Sequence, residues 1–261
     1  MQRKVAVLMT GHNRRDAVVR ALDALDRQRG LPEDTALQAH FVDAASTDGT
    51  AEAVATSHPE VRLMRLDHEA SWSQGMRIAS RNSRGADNTP FTHQLWLHPD
   101  TELHEDAVGR LLTVAQEHPG AVVTGALRSP DGARTTRSGR RGRHLTLVEP
   151  TDRPEPCHTY DAGVVLLPRA VRALVGDVDR RFPLGLGAHD HGLRAHKAGA
   201  PLYVAPHHVG TAPDAPHPAR PPELPHRAWC VYCLRHGGPW APVLLLSPYA
   251  RAAFAWAAAR A

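Results

Sequence analysis

The 261-residue chain has few cysteines and no long uninterrupted apolar run. Cys157, Cys230 and Cys233 cannot build a disulfide framework, and zinc at the Cys230/Cys233 pair would need two further ligands at a suitable spacing. A membrane-spanning helix needs about 20 apolar residues, far more than any run here. No apolar targeting segment follows the first four residues. These absences favour a cytoplasmic protein.

The sequence also lacks a solenoid-type internal repeat and a strong imbalance of charge. Its hydrophobic content of 42% and charged content of 22% are ordinary for a soluble globular protein. The net charge of +4 invites a nucleic-acid-binding hypothesis, because clustered Lys and Arg neutralise phosphates. The basic excess is concentrated in residues 134–143, however, which favours a local anionic ligand. Nucleic-acid binding is therefore kept only as an alternative.

What the chain does contain is an alternation of short aliphatic runs with segments of helical periodicity. Residues 4–10 form the first aliphatic run, and apolar residues recur at helical spacing from residue 15. The same unit repeats as far as a fourth strand that ends at residue 97. Strands that alternate with helices pair in parallel through right-handed crossovers. We therefore predict an α/β fold with a Rossmann-like sheet flanked by helices.

The pattern changes after residue 127. The basic stretch, residues 134–143, predicts a hairpin or an ordered loop, and residues 164–168 predict another buried strand. A helix is expected over residues 190–198 and a last strand over residues 201–205. Together these segments predict a mixed sheet.

Proline dominates residues 211–225, a composition that favours extended chain over helix. Two helical segments are predicted beyond it, the second within an Ala-rich tail. We predict one domain over residues 1–211, and over residues 212–261 a Pro-rich connection with a C-terminal helical extension packed on that domain. Arginines and aromatic residues of the tail suit a membrane surface, so a peripheral membrane contact is an alternative role.

Acidic residues stand where two predicted parallel strands end. Asp43 closes the second strand, and Asp100 closes the segment Leu97-His98-Pro99-Asp100. Nucleotides bind outside the carboxyl ends of the strands in open α/β sheets. Two carboxylates there predict a nucleotide diphosphate and a metal ion. The structural alternatives are a turn cap for Asp43 and a helix N-cap for Asp100.

Four strings in register resemble a family 2 glycosyltransferase with the GT-A fold. They occupy residues 5–13, 42–50, 97–103 and 187–194. Trp72-Ser-Gln-Gly75-Met76 and Gly187-Ala-His-Asp190-His-Gly-Leu-Arg194 further resemble strings of actinobacterial-type members. The resemblance implies an inverting transferase that uses a nucleoside-diphosphate sugar, UDP in preference to dTDP, an acceptor hydroxyl, and Mn²⁺ or Mg²⁺.

The resemblance also implies residue roles. Asp43 would accept a hydrogen bond from the imide N–H of uracil or thymine, and Asp190 would deprotonate the acceptor hydroxyl. Asp100 would hold the metal ion, with His208, or else His207, as a second ligand. The other implied donor-binding residues are Thr10, Gly11, His12, Asn13, Asp48, Trp72, Gly75, Arg77 and His98.

Departures from the family pattern keep alternatives open. His98 stands where the family has an acid, so it would bind Mn²⁺, contact the ribose or do neither. Ala188 and His189 replace acids, which motivates the alternative of a sugar-nucleotide-binding protein that has lost transferase activity. Asp190 has a helix N-cap as its structural alternative. A nucleotidyltransferase is disfavoured because no Gly-rich loop bearing Lys or Arg follows the first strand.

Overall fold

The computed structural model describes residues 3–83, 90–142, 144–182, 184–213, 226–243 and 245. The predictions for the Pro-rich connection from residue 214, the Ala-rich tail from residue 248 and Arg143 in the basic stretch lie outside the described residues. The helices are α1 (Arg15–Asp26), α2 (Thr50–Ser57), α3 (Trp72–Asn82), α4 (Ala107–Glu117), α5 (Arg169–Val175), α6 (Leu184–Lys197) and α7 (His226–His236). No helix in the described ranges has the length and apolarity needed to cross a membrane.

The strands confirm the predicted alternation in the first half of the chain. They are β1 (Arg3–Gly11), β2 (Thr35–Ala44), β3 (Arg62–Leu66), β4 (His93–Leu97), β5 (Glu102–Leu103), β6 (Val122–Arg128), β7 (Thr135–Arg137), β8 (Gly139–Arg141), β9 (Thr146–Leu147), β10 (Glu155–Pro156), β11 (Thr159–Tyr160), β12 (Val164–Pro168) and β13 (Leu202–Thr211). The basic stretch forms β7 and β8, in agreement with the predicted hairpin or ordered loop.

The main sheet has the strand order β10-β13-β6-β12-β4-β1-β2-β3. Strand β1 pairs in parallel with β2 and β4, and β2 pairs in parallel with β3. Strand β12 is antiparallel to both of its neighbours, β4 and β6. The predicted mixed α/β sheet flanked by helices is therefore confirmed.

Both faces of the sheet are buried, because side chains of a strand point alternately to opposite faces. In β1, Val5, Val7 and Met9 join one core with apolar residues of α1, α2 and α4. Ala6 and Leu8 join the other core with residues of α3, α5 and α6. Full burial of one such aliphatic side chain contributes about 1.5–3 kcal/mol. The two cores hold the strand ends, and hence the loops that follow them, in a fixed arrangement.

Two predicted boundaries differ from the structure. Helix α6 begins at Leu184, six residues before the predicted start. Its first turn contains Gly187, which packs on Ser73 of α3, where a Cβ would lie 2.4 Å from the Ser73 Oγ. Glycine lowers helix propensity, which hid this start. Strand β13 continues past Pro206 to Thr211, since the pairing with β6 is irregular there and leaves room for proline.

Helix α7 packs on α6 and on the segment before it. Ala228 joins a small buried cluster with Phe182 and Leu186, and the Tyr232 ring meets Phe182 edge to face at 6.2 Å. The Lys197 ammonium group donates to the carbonyl oxygen of Arg235 at 2.7 Å. The described part of the C-terminal segment is thus attached to the helix that carries Asp190.

Candidate active site

A cavity of about 220 Å³ opens at the carboxyl ends of β1 and β4, where the sequence predicts a nucleotide site. The strands run parallel, so the loops that follow them meet at this edge. The lining residues are Thr10, Gly11, His12, Arg14, Ala70, Trp72, His98, Pro99 and Asp100. The structure therefore brings six of the predicted site residues together around one crevice.

Hydrogen bonds join the loop after β1 to the loop after β2. The Asn13 N–H donates to Ser46 Oγ at 2.9 Å, and the Thr47 N–H donates to Asn13 Oδ1 at 2.8 Å. Asp48 accepts from the Arg15 N–H at 3.2 Å. Asn13 and Asp48, both predicted to bind the donor, thus hold these loops together at the rim of the crevice.

Asp43 has one satisfied and one unsatisfied carboxylate oxygen. Its side chain is buried, and Oδ2 accepts from the Ser46 N–H at 3.2 Å. Oδ1 has no hydrogen-bond partner within the described ranges. A buried polar atom left in this state costs about 1–3 kcal/mol. Such an atom is expected where a ligand supplies the missing donor.

Gly75 allows α3 to approach β1 closely. A Cβ at this position would lie 2.1 Å from Oγ1 of Thr10, whose hydroxyl donates to the Val42 carbonyl at 3.0 Å. Trp72, at the start of the same helix, lines the crevice and meets Trp96 edge to face with 6.0 Å between ring centroids. Gly75 therefore shapes the crevice by packing, while Trp72 contributes a wall.

Asp100 is bound by a buried arginine. Arg137, from β7, donates through two nitrogens to the two oxygens of Asp100, each at 2.7 Å. His98 Nδ1 donates to the same carboxylate. Burial alone would raise the pKa of Asp100, but the hydrogen bonds from His98 and Arg137 hold it well below the ordinary value. Asp100 is therefore an anion at physiological pH.

The side chains of Asp100 and His98 are of types that bind a divalent cation, whereas the ion pair of Asp100 with Arg137 opposes cation binding. A carboxylate oxygen and an imidazole nitrogen both ligate Mn²⁺, and their side chains are 22% and 17% exposed at the crevice. Arg137 occupies both carboxylate oxygens with its own positive charge. The residues therefore fit a cation provided that Arg137 withdraws.

His208 lies within β13 and does not join Asp100 in a cluster of three ligand groups. Its Nε2 lies 2.8 Å from the Thr135 hydroxyl. Burial, then Arg128, lowers its pKa, which favours neutral imidazole. One group in the described part of the chain has three such ligand atoms within 4.8 Å: Asp26, His58 and Glu60. Asp26 is the last residue of α1, and His58 and Glu60 follow the end of α2, so this group lies at the edge of the sheet opposite the crevice.

Asp190 lies inside α6, so the predicted alternative of an N-cap is not what the structure has. The side chain is fully buried. Oδ2 accepts from Arg194 Nε at 2.8 Å, and Oδ1 accepts from Arg235 at 2.6 Å and from His236 Nε2 at 2.9 Å. Burial alone would raise the pKa of Asp190, but these three donors, His236 foremost, lower it. Helix α7 thus covers the predicted base.

The histidines beside Asp190 also have buried partners. His189 Nε2 donates to Asp161 Oδ1 at 2.8 Å, and Arg140 donates to the same oxygen at 2.7 Å. Burial alone would raise the pKa of Asp161, but the hydrogen bonds and positive charges of His189 and Arg140 lower it to about 2. The Tyr160 hydroxyl donates to Nδ1 of His191 at 2.6 Å, since His191 Nε2 donates to a carbonyl. Both histidines are therefore held in the core.

Arg77 does not line the crevice. It lines a second, more open cavity of about 530 Å³ beside α3, α6 and α7, which we call the arginine cavity. Its lining residues are Arg77, Val175, Gly176, Asp177, Asp179, Arg180, Arg181, Arg194 and Arg235.

Sequence reasoning missed Arg137, Arg235 and His236 as partners of the predicted acidic residues. The concentration of arginines in residues 134–143 was the available signal, but it indicated an external anion. In the structure, Arg137 pairs with Asp100 and Arg140 with Asp161. These arginines therefore neutralise acidic groups of the chain itself, which weakens the nucleic-acid alternative.

Comparison with known proteins gives one family and one fold. The family model described as "Glycosyl transferase family 2" matches residues 6–169. No curated protein matches the chain. Among solved structures, residues 1–349 of S. aureus TarS match at 13% identity and a TM-score of 0.65, over 89% of this chain and 65% of that one. The chain covers 39% of the longer TarS structure.

Two further structures have similar folds and were solved with Mn²⁺. The mannosyltransferase PcManGT from Pyrobaculum calidifontis, in complex with GDP-Man and Mn²⁺, matches at 20% identity and a TM-score of 0.58, over 100% of this chain and 76% of that one. GalNAc-T7 with UDP, GalNAc and Mn²⁺ matches at 12% identity and a TM-score of 0.62, over 78% and 42%. At these identities the likeness shows the fold alone, which is that of GT-A enzymes.

Proposed function

The chain belongs to glycosyl transferase family 2, and on that premise we propose that it moves a sugar, with inversion, from a nucleoside-diphosphate sugar to an acceptor hydroxyl. A UDP-sugar is the favoured donor and a dTDP-sugar the second choice. Neighbours of the same fold in complex with UDP-GlcNAc and with GDP-Man support a nucleotide-sugar donor.

The unsatisfied Oδ1 of Asp43 is the observation that carries the choice of base. Uracil and thymine present an imide N–H, which cytosine lacks at that ring position. A base seated near the end of β2 would supply the donor that this buried oxygen lacks within the described ranges. Ribose and diphosphate would then lie along Thr10 to Asn13 and extend toward Trp72 and Asp100.

We assign the divalent cation, Mn²⁺ or Mg²⁺, to Asp100, with His98 beside it and His208 as a weaker candidate. When bound, the cation offsets the charge of the departing nucleoside diphosphate. The imidazole of His98 favours Mn²⁺ over Mg²⁺. Arg137 has to release Asp100 for this assignment to hold.

Asp190 is the proposed general base. Its carboxylate would reach an acceptor hydroxyl once Arg235 and His236 withdraw from Oδ1. General-base catalysis contributes ~10²–10⁴-fold. We therefore expect Asp190→Asn to lower turnover by that factor and to leave the dissociation constant of UDP within about twofold. Thermal melting of the variant would show that α6 and α7 remain packed.

A sugar-nucleotide-binding protein without transfer activity is the second candidate, and two observations favour it. Asp190 is fully buried under α7, and Ala188, where the family resemblance implies an acid, lies in the core. Slow metal-dependent hydrolysis of the donor that disappears in Asp190→Asn would argue against this candidate. Donor binding with no hydrolysis or transfer under any condition would support it.

The decisive first experiment is a thermal-shift panel of UDP, dTDP, CDP and GDP, with and without Mn²⁺. We expect UDP with Mn²⁺ to raise the melting temperature most, because a ligand stabilises the fold by RT ln(1 + [L]/Kd). Hydrolysis of UDP-sugars by the same protein is then measured. Failure of every uridine and thymidine compound to bind or to be hydrolysed would overturn the proposal.

We also propose that the segment after residue 211 belongs to the functional enzyme as an extension packed on the domain of residues 1–211. The contacts of α7 with Phe182 and with Asp190 support this organisation. Helix α7 would then be part of the acceptor side of the site.

A further inference from the structure

The arginine cavity is a second concave site whose lining residues differ from those of the crevice. Its volume of about 530 Å³ lies within the range of small-molecule sites. Residues from α3, α6, α7 and the segment between α5 and α6 contribute to its wall. The site therefore belongs to the face of the molecule on which Asp190 is held.

Positive charge exceeds negative charge around this cavity. Five arginines face two aspartates, Asp177 and Asp179, and counting the buried Asp190 as a third carboxylate still leaves two positive charges in excess. Asp177 additionally pairs with Arg172 and Arg81, which lie outside the lining. Unbalanced charges of one sign repel each other and attract a ligand of the opposite sign.

Several of the guanidinium groups are fixed before any ligand binds. Asp179 accepts from Arg181 at 2.6 Å and from Arg235 at 3.0 Å. Asp190 accepts from Arg194 at 2.8 Å, and a second Arg194 nitrogen donates to the Asp177 carbonyl at 3.1 Å. A guanidinium group held in this way loses less side-chain freedom when it binds an anion.

Two arginines of the lining lack such partners. Within the described part of the chain, Arg77 and Arg180 have no carboxylate in hydrogen-bonding range. Arg77 is half-buried on α3 and Arg180 is exposed before α6. Guanidinium forks match phosphate oxygens in pairs, and two free forks suit a dianion.

We propose that the arginine cavity binds the phosphate or diphosphate group of a phosphorylated acceptor. The anion-binding site follows from the cavity itself, whereas its assignment to the acceptor rests on the proposed glycosyltransferase function. Arg194 and Arg235 line the cavity and also hold Asp190. An anion that engages Arg235 would compete with Oδ1 of Asp190 and so help to free the proposed base.

Binding of inorganic diphosphate, measured by calorimetry in metal-free buffer, tests the site. We expect Arg77→Gln and Arg180→Gln each to weaken binding by at least tenfold. Arg20→Gln is the matched control, because Arg20 is exposed on α1, on the opposite side of the sheet. Equal diphosphate affinity in the wild type, both cavity variants and the control would overturn the site.

Uridine binding to the same proteins separates this proposal from the proposed function. Uridine carries no phosphate, so its affinity reports the base site alone. Loss of diphosphate binding in the cavity variants supports anion binding in the arginine cavity, whether or not uridine binds. If uridine does not bind, only the proposal of a UDP-sugar donor is wrong. Uridine binding with unchanged diphosphate affinity in the variants would leave the donor proposal standing and refute the cavity.

A pair of acceptor probes then tests the source of the anion. Transfer or binding is measured with glycerol 3-phosphate and with glycerol, which differ only by the phosphate. We expect a preference of at least tenfold for the phosphorylated probe in the wild type and in Arg20→Gln, and its loss in the Arg77→Gln/Arg180→Gln double variant. Equal behaviour of the two probes, with diphosphate binding intact, would overturn the assignment to the acceptor.

Discussion

At the scale of single residues, the acidic side chains of the site differ in what already satisfies them. Asp43 keeps one oxygen unpartnered within the described ranges, whereas Asp100 and Asp190 accept from arginines at both oxygens. A free oxygen is ready to meet a ligand, while a paired one has to exchange partners. Donor binding at Asp43 is therefore expected to be the least demanding step.

Asp43→Asn tests whether Oδ1 of Asp43 accepts a hydrogen bond from the base of the donor. An amide can still accept from the Ser46 N–H, but it then presents N–H₂ in place of Oδ1. Loss of a hydrogen bond to a buried charged group costs about 1.5–3 kcal/mol, so UDP affinity should fall roughly 10–100-fold. Calorimetry with UDP and CDP measures the change.

The amide should at the same time narrow the preference for UDP over CDP, because cytosine offers a ring acceptor to N–H₂. Asp16→Asn, at an exposed position of α1, serves as the control. Unchanged UDP affinity in Asp43→Asn would exclude the base contact.

Arg137→Met removes the guanidinium group that is bonded to both oxygens of Asp100. Without that competitor, Asp100 and His98 should bind Mn²⁺ more tightly in the absence of nucleotide, by about tenfold or more for loss of a repulsive neighbouring charge. Electron paramagnetic resonance of free Mn²⁺ measures the affinity directly. Arg141→Met, in the neighbouring strand β8 and paired with Glu155, is the control. If Arg137→Met bound Mn²⁺ no more tightly than the wild type, the assignment of Mn²⁺ to Asp100 and His98 would be wrong.

At the scale of elements, the sequence predicts the repeating strand and helix units because each has its own periodicity. Strand β1, Arg3–Gly11, contains the predicted run of residues 4–10, and β12 is found over the predicted residues 164–168. The start of α6 was missed because its glycines are poor helix formers, and only their packing against α3 explains them. Local pattern therefore predicted elements where propensity and burial agree.

The partners of the site residues could not be predicted in the same way. Arg137 is 37 residues from Asp100, and Arg235 is 45 residues from Asp190. No local periodicity relates such positions, since their distance depends on strand order and helix packing. The loops after β1 and β2 were predictable because parallel neighbours place them at one edge.

Arg235→Met tests the attachment of α7 to α6. The variant removes a donor from the buried Asp190 carboxylate and from Asp179. Loss of one partner of a buried ion pair typically costs about 3–5 kcal/mol, and the two remaining donors should keep the loss near the lower value. Denaturant unfolding measures the change.

Replacing Asp190 as well should restore part of the lost stability, because the double variant Arg235→Met/Asp190→Asn leaves a neutral amide in the core. Arg227→Met, at the exposed start of α7, is the control. A double variant no more stable than Arg235→Met would show that the charge of Asp190 is not what α7 balances.

At the scale of the whole molecule, buried histidines should make stability depend on pH. Burial first, and a nearby arginine second, lowers the pKa of His40 and of His191 to about 4, against 6.5 for an unperturbed histidine. The unfolded chain therefore binds more protons than the folded one between pH 6.5 and 4. Stability should fall as pH drops through that window, by about 3 kcal/mol for each histidine.

Calorimetric melting between pH 7 and pH 4 measures this dependence. His40→Leu removes one titrating group, together with a buried Nε2 that has no partner within the described residues. The variant should lose less stability than the wild type over the same window. His144→Leu, at an exposed loop position, is the control. Parallel curves for wild type and His40→Leu would contradict the assignment.

The antiparallel insertion of β12 between β4 and β6 has a consequence for synthesis of the chain. Strand β4 ends at Leu97, but β12, which covers its edge, ends at Pro168. At 5–20 residues per second, that edge waits on the order of 4–14 s on the ribosome for its partner. An uncovered apolar edge pairs readily with other chains. The nascent protein therefore passes through a period in which one edge of β4, with Leu95 and Trp96, is uncovered and open to pairing with other chains.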